Sequence, residues 1–219
     1  MRENFKIGFF DSGVGGISVM SYAREEIKNA DYIYYADTDH VPYGKKKPEE
    51  VVRYSEAAVG CLVEHGADIV VVACNTATSM AIDTLRKTFS VPIIGMEPAV
   101  KPASVKHHGE KILVCATPLT IAGEKLHHLI DENYAAVVLG CTHFAYFRDS
   151  FRALLGDIDM IDGTEGTVNR LKYMMEKEGI SPDSNGEKEK VEYFISGREV
   201  TDPKTLEYYS LLEKRAQYK

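Results

Sequence analysis

Ala67-Asp68-Ile69-Val70-Val71-Val72-Ala73-Cys74-Asn75-Thr76 is the stretch on which the reading of this chain turns. A short apolar run, rich in β-branched residues, leads directly into a cysteine and small polar side chains. Strands buried on both faces of a parallel sheet have this character, because helices cover both sides. The polar cluster then falls at the carboxyl end of the strand, where open α/β sheets place their ligands. The design occurs twice, the second time as Ala135-Ala136-Val137-Val138-Leu139-Gly140-Cys141-Thr142-His143. Two thiols delivered by matching strand ends could face one small molecule from opposite sides. One thiolate would take a proton while the other thiol supplies one.

Outward from the first stretch, strands and helices alternate. Lys6–Phe10, Tyr32–Ala36, Ile69–Ala73 and Val91–Gly95 read as strands. Helices are expected over Gly15–Lys28, Pro48–His65 and Thr76–Lys87, the second opened by a proline where proline is well tolerated. A second series follows, with strands at Lys111–Cys115, Ala136–Leu139 and Ile158–Ile161 and helices at Ala122–Ile130, Phe144–Leu155 and Thr164–Lys177. Ser181–Lys190 is a polar loop, Val191–Ser196 a last strand, and Pro203–Lys219 a terminal helix. The fold class is α/β, two small pseudo-symmetric parallel-sheet domains with the active site between them. The expected boundaries are 1–96 for a first domain carrying Asp11 and Cys74, 97–200 for a second carrying Cys141, and 201–219 for a helical tail. Placing Lys6 over Lys111 aligns Asp11 with Ala116 and Ser12 with Thr117.

The bulk properties narrow the function. The 219 residues carry a formal charge of -7 and are 44% hydrophobic. No long basic stretch is present, which disfavours nucleic-acid binding; Lys45-Lys46-Lys47 reads as a solvated loop. No apolar run is long enough to span a bilayer. Met1–Phe10 runs straight into a strand, so no signal peptide is expected and a cytoplasmic location follows. The four cysteines lack CxxC spacing and are expected as free thiols of a reducing compartment.

Around these strand ends lie the residues that could carry chemistry. Asp11-Ser12-Gly13-Val14-Gly15-Gly16 joins a strand to a helix, and its N–H groups suit a carboxylate or phosphate. Asp11 could accept from an ammonium or orient a thiol. Val41-Pro42-Tyr43-Gly44 is either a plain turn or a loop over a ligand. Asn75, Thr76, Thr142 and His143 offer amide, hydroxyl and imidazole groups beside the two cysteines, and His143 could tune Cys141 or help move a proton. Both cysteines should stand at helix starts, which lower a thiol pKa. Zinc spacings are not met by Cys74, Cys141 and His143. Cys61 and Cys115 read as core, and His107-His108 and His127-His128 as surface. Nothing points to pyridoxal phosphate or a nicotinamide, so no cofactor is expected.

At these residues the chain closely resembles the glutamate racemases of the aspartate/glutamate racemase superfamily. The resemblance rests on Phe10–Gly16, Pro42-Tyr43-Gly44, Ala73–Ala77, Glu97-Pro98-Ala99, Ala116–Thr120 and Leu139–His143. It implies cofactor-independent interconversion of L- and D-glutamate for peptidoglycan synthesis. The implied proton-transfer residues are Cys74 and Cys141, with Asp11 and His143 assisting. Asp11, Ser12, Pro42, Tyr43, Gly44, Asn75, Thr76, Thr117, Thr142 and His143 would hold the substrate, and a homodimer is the expected assembly. Family members separate the Ala-Thr-x-x-Thr segment from the second Cys-Thr-His by several dozen residues; here only Ile121–Leu139 intervene. A shortened second domain is therefore expected. The family's acid that assists the second cysteine has no counterpart by motif, and neither Asp131 nor Glu132 is assigned the role. The residues themselves leave open a relative that binds an amino acid or a protein partner without turnover, and a racemase for aspartate or another small acidic amino acid.

Overall fold

The computed structural model describes residues 5–117, 134–180 and 189–216. The helix expected at Ala122–Ile130, the Pro118-Leu119-Thr120 part of the motif, His127-His128, Asp131 and Glu132 lie outside them, as does most of the expected Ser181–Lys190 loop.

The first sheet grows from alternating elements: β1 (Lys6–Asp11), α1 (Ile17–Glu26), β2 (Asp31–Ala36), α2 (Pro48–Glu64), β3 (Ile69–Val72), α3 (Asn75–Thr88) and β4 (Ile93–Gly95). The strands are parallel, with β1 between β2 and β3. Strand alternation splits their side chains between two cores. Ile7, Phe9, Tyr32, Tyr34, Ile69 and Val71 pack under α1. Phe10, Ile33, Val70 and Val72 pack under α2 and α3. Because the chain lays β2 on one side of β1 and β3 on the other, a crevice opens outside the carboxyl ends of β1 and β3, the topological switch point. Asp11 and Cys74 arrive there. Strand β4 is shorter than its apolar run because Pro92 has no N–H for the ladder; its carbonyl still accepts from Val70.

A second, three-stranded parallel sheet has the order β5 (Lys111–Ala116), β6 (Tyr134–Gly140), β7 (Asp159–Asp162). Helix α4 (Val100–Lys106), absent from the sequence reading, packs Ala103 against Ile112, Ala136 and Val138. Strands β1 and β5 have equal length and end at Asp11 and Ala116, as the Lys6–Lys111 overlay requires. The helix expected over Phe144–Leu155 is divided. Thr142–Phe147 winds as a tighter 3-10 helix directly after Cys141, and α5 (Arg148–Leu155) continues it.

The chain then returns to the first sheet through α6 (Thr164–Lys177), β8 (Val191–Ile195), β9 (Arg198–Glu199) and α7 (Pro203–Arg215). Residues 191–199, expected in the second domain, instead extend the first sheet. Strand β8 pairs in parallel with β2, and β9 turns back antiparallel to it. The physical reason is the edge of β2, a fully buried strand whose open ladder would otherwise remain unpaired. Tyr193 enters the core on the α1 side and Phe194 the core on the α2 side. Val168, Leu171 and Met175 of α6 and Tyr209 of α7 complete the α1 side. Both ends of the described chain thus build one sheet, and the tail expected as a separate segment is anchored to it. Among the described residues no helix is long and apolar enough to cross a membrane.

Phe194 is 2% exposed. Phe194→Ala is expected to lower unfolding stability by about 3–5 kcal/mol in urea titration, against within about 0.5 kcal/mol for the exposed Glu199→Ala. Equal losses would contradict the placement of β8 in the core.

Candidate active site

Strand β1 ends on Asp11, which is wholly buried. Its Oδ1 accepts from the Gly13 N–H at 2.9 Å and the Ser12 hydroxyl at 3.2 Å. Its Oδ2 accepts from the Thr142 hydroxyl at 2.7 Å, tying the end of β1 to the segment after β6. Glycine is required at position 16: a Cβ there would stand 2.8 Å from that of Asp11 and 2.9 Å from that of Ala73. Below the loop, the Tyr34 hydroxyl donates to the Gly13 carbonyl at 2.9 Å.

A cavity of about 360 Å³ lies where the two sheets present their carboxyl ends. Ser12, Pro42, Tyr43, Gly44, Cys74, Asn75 and Thr76 line it from the first sheet; Thr117, Cys141, Thr142 and His143 line it from the second. Every site residue expected from sequence is therefore gathered at one cavity, except that Asp11 stands behind the wall and reaches it through Ser12 and Thr142. Val14, Thr38 and Val41 also line it; their only signal in sequence is a position just beyond a strand end. The walls meet closely. The Thr76 and Thr117 hydroxyls are 2.8 Å apart, and a Cβ on Gly44 would come within 2.9 Å of Thr117. Asn75 is 3% exposed, and neither its Oδ1 nor its Nδ2 has a hydrogen-bond partner among the described residues. A buried carboxamide in that state keeps one acceptor and two donor protons for a polar ligand.

Each thiol begins a helix, as expected. Cys74 is the N-cap of α3, and its sulfur accepts from the Ala77 N–H at 3.5 Å, with the Ser12 hydroxyl also 3.5 Å away. Cys141 stands at the N-cap of the 3-10 helix, its carbonyl accepts from the Phe144 N–H at 3.0 Å, and His143 Nδ1 lies 3.8 Å from its sulfur; the backbone N–H groups of His143 and Phe144 are near enough to draw its pKa down. These donors favour the thiolate, yet neither thiol is acidic. Burial pushes Cys74 up to about 12; the Asp11 charge also raises it, against hydrogen bonds from Ser12 and Ala77 that lower it. Burial pushes Cys141 up to about 11. The expectation that helix starts would acidify the thiols fails because desolvation of the sulfur anion outweighs a few N–H dipoles. A cationic group entering the cavity would lower both values. Among the described residues no group of three or more His, Cys, Asp and Glu side chains is placed to hold a metal ion.

Two thiols, Cys74 buried and Cys141 half-buried, thus line one cavity, each preceded by a parallel strand and followed by a helix start. Residues 18–124 match the family model described as Asp/Glu/Hydantoin racemase. A glutamate racemase of Lachnospira eligens is 40% identical over 260 aligned positions, covering 97% of this chain and 98% of that protein. One from Halothermothrix orenii is 42% identical, covering 93% and 97%. The crystal structure of glutamate racemase from Aquifex pyrophilus superposes with a TM-score of 0.77 at 29% identity, covering 96% of each chain. The chain belongs to the glutamate racemase family. The 260 positions aligned to the Lachnospira protein exceed the 219 residues present here, so part of that relative has no counterpart in this chain.

With both thiols raised, alkylation of Cys74 and Cys141 by iodoacetamide in the empty protein is expected to be slow at pH 7. It should accelerate with each pH step to beyond pH 10, followed by peptide mass spectrometry. A plateau at pH 7–8 for either cysteine would contradict the dominance of burial.

Proposed function

We propose that this protein interconverts L- and D-glutamate by two-thiol proton transfer, without a cofactor, supplying D-glutamate for peptidoglycan synthesis in the cytoplasm. The single observation that carries this reading is that Cys74 and Cys141 line the same cavity, from opposite sheets. The names of the relatives supply the substrate, and the four free thiols suit a reducing compartment.

The chemistry follows from the groups present. Asn75, Thr76, Thr117 and Thr142 offer amide and hydroxyl groups for the substrate carboxylates. The buried Asp11 carboxylate, screened behind Ser12, gives the substrate ammonium a negative field to settle against. That cation in turn offsets the field Asp11 exerts on the two sulfurs, and the thiolate form becomes accessible as the substrate binds. One sulfur removes the α-proton while the other protonates the opposite face of the same carbon; with the other enantiomer the roles reverse. Fixing both carboxylate and ammonium confines motion to the α-carbon, and the preorganised dipoles of the cavity walls stabilise the carbanion. His143, beside Cys141, is the group placed to pass protons to and from that thiol.

Proton NMR in deuterium oxide provides the test. The α-proton signal of either glutamate enantiomer should vanish with wild-type protein, faster than that of aspartate. Cys74→Ser and Cys141→Ser should each slow racemisation by at least about 10³-fold, within the range of general acid–base effects. Folded wild-type protein that leaves both glutamate signals intact would sink the proposal.

A further inference from the structure

Asp37 is a buried carboxylate that the proton-transfer chemistry does not use; it is 2% exposed. Parallel register explains where it stands. Asp11 of β1 pairs with Ala36 of β2, and Ala36 with Ile195 of β8. The next residues along, Ser12, Asp37 and Ser196, therefore sit side by side across the carboxyl edge of the sheet. Asp37 is held on both flanks: its N–H donates to the Asp11 carbonyl at 3.0 Å, and the Ser196 N–H donates to Ala36 at 2.9 Å.

Three side chains converge on the Asp37 carboxylate. The Tyr43 hydroxyl donates to Oδ2 at 2.6 Å, the Ser196 hydroxyl to Oδ1 at 2.9 Å, and His40 Nδ1 lies 2.8 and 3.0 Å from the two oxygens. Ser196 Oγ also accepts from the Asp39 N–H at 3.1 Å. Tyr43 is a wall of the substrate cavity, whereas Ser196 is not among the cavity-lining residues. The backbone at Ser196 adds a second, independent sign. Ser196 and Gly197 form the two-residue turn between β8 and β9, with φ of 45° and 84°. Such a turn needs left-handed residues at both positions and favours asparagine, aspartate or glycine at the first. Serine there bears a backbone cost, and what it provides in exchange is a hydroxyl at Asp37.

We propose that Ser196 is a positioning residue for the substrate cavity: acting through Asp37, it fixes the Tyr43 wall. The inference rests on the racemase reading above. It assigns the last hairpin, 159 residues from Asp37 in sequence, a part in substrate binding and not only in closing the sheet edge.

A double-mutant cycle on the full-length protein tests it, with α-proton exchange of glutamate as the assay. Ser196→Gly removes the hydroxyl and keeps the left-handed turn. Loss of one hydrogen bond's worth of orientation should raise KM about five-fold with kcat within about twofold of wild type. In a Tyr43→Phe background, which has no phenol to orient, Ser196→Gly should raise KM no further. Arg198→Ala, which cuts the exposed pair with Asp39 in the same hairpin, should leave KM unchanged. Ser196→Ala, which deletes the hydroxyl alone, should repeat the cycle. A wild-type KM in both Ser196 variants, or equal KM increments with and without the Tyr43 hydroxyl, overturns the positioning role while leaving the racemase reading intact. Wild-type protein that neither exchanges nor binds glutamate overturns both.

Discussion

Thiolate formation at Cys74 and Cys141 runs against burial, and the rest of the site is arranged around that opposition. A sulfur anion against these walls loses much of its hydration, and the N–H groups at two helix starts recover only part of it. With Asp11 buried close by, burial and its charge both favour the protonated thiols. An α-amino acid brings its own cation and so alters the field in which the sulfurs ionise. In the proposed mechanism, base strength is thereby tied to substrate binding.

The parallel register of the first sheet makes this arrangement possible. Side-by-side alignment of β1, β2 and β8 puts Ser12, Asp37 and Ser196 in one row, and β3 adds Cys74 on the other side of β1. Among the described residues the second sheet has three strands, with Thr117 following β5 and Cys141 following β6. The contacts that join the halves are short and polar: Thr142 to Asp11, and Thr76 to Thr117. The described part of the second sheet therefore supplies its half of the cavity.

Much of this was legible in local pattern. The β-branched runs before Cys74 and Cys141 specify buried parallel strands, and the small polar residues after them specify helix starts at a sheet edge. Thr164–Lys177 is a helix over the whole span its periodicity suggests. Other features depend on partners distant in the chain. That Val191–Ile195 would seek β2 is a property of the open edge of β2, not of its own five residues. Asp37 and Ser196 carry no motif, and their contact exists only because the register brings two strand ends together. Local helical spacing also could not reveal that Thr142–Phe147 would wind as a 3-10 turn. The thiol acidity was misjudged for a related reason: capping is local and visible, whereas desolvation is the summed effect of the walls.

The most direct measurement of the central claim is a crystal structure with D- or L-glutamate bound. The account predicts the Cys74 and Cys141 sulfurs on opposite faces of the α-carbon, each within about 4 Å of it, with the ammonium toward Asp11. Glutamate bound with both sulfurs on the same face, or with either one turned out of the cavity, would contradict it.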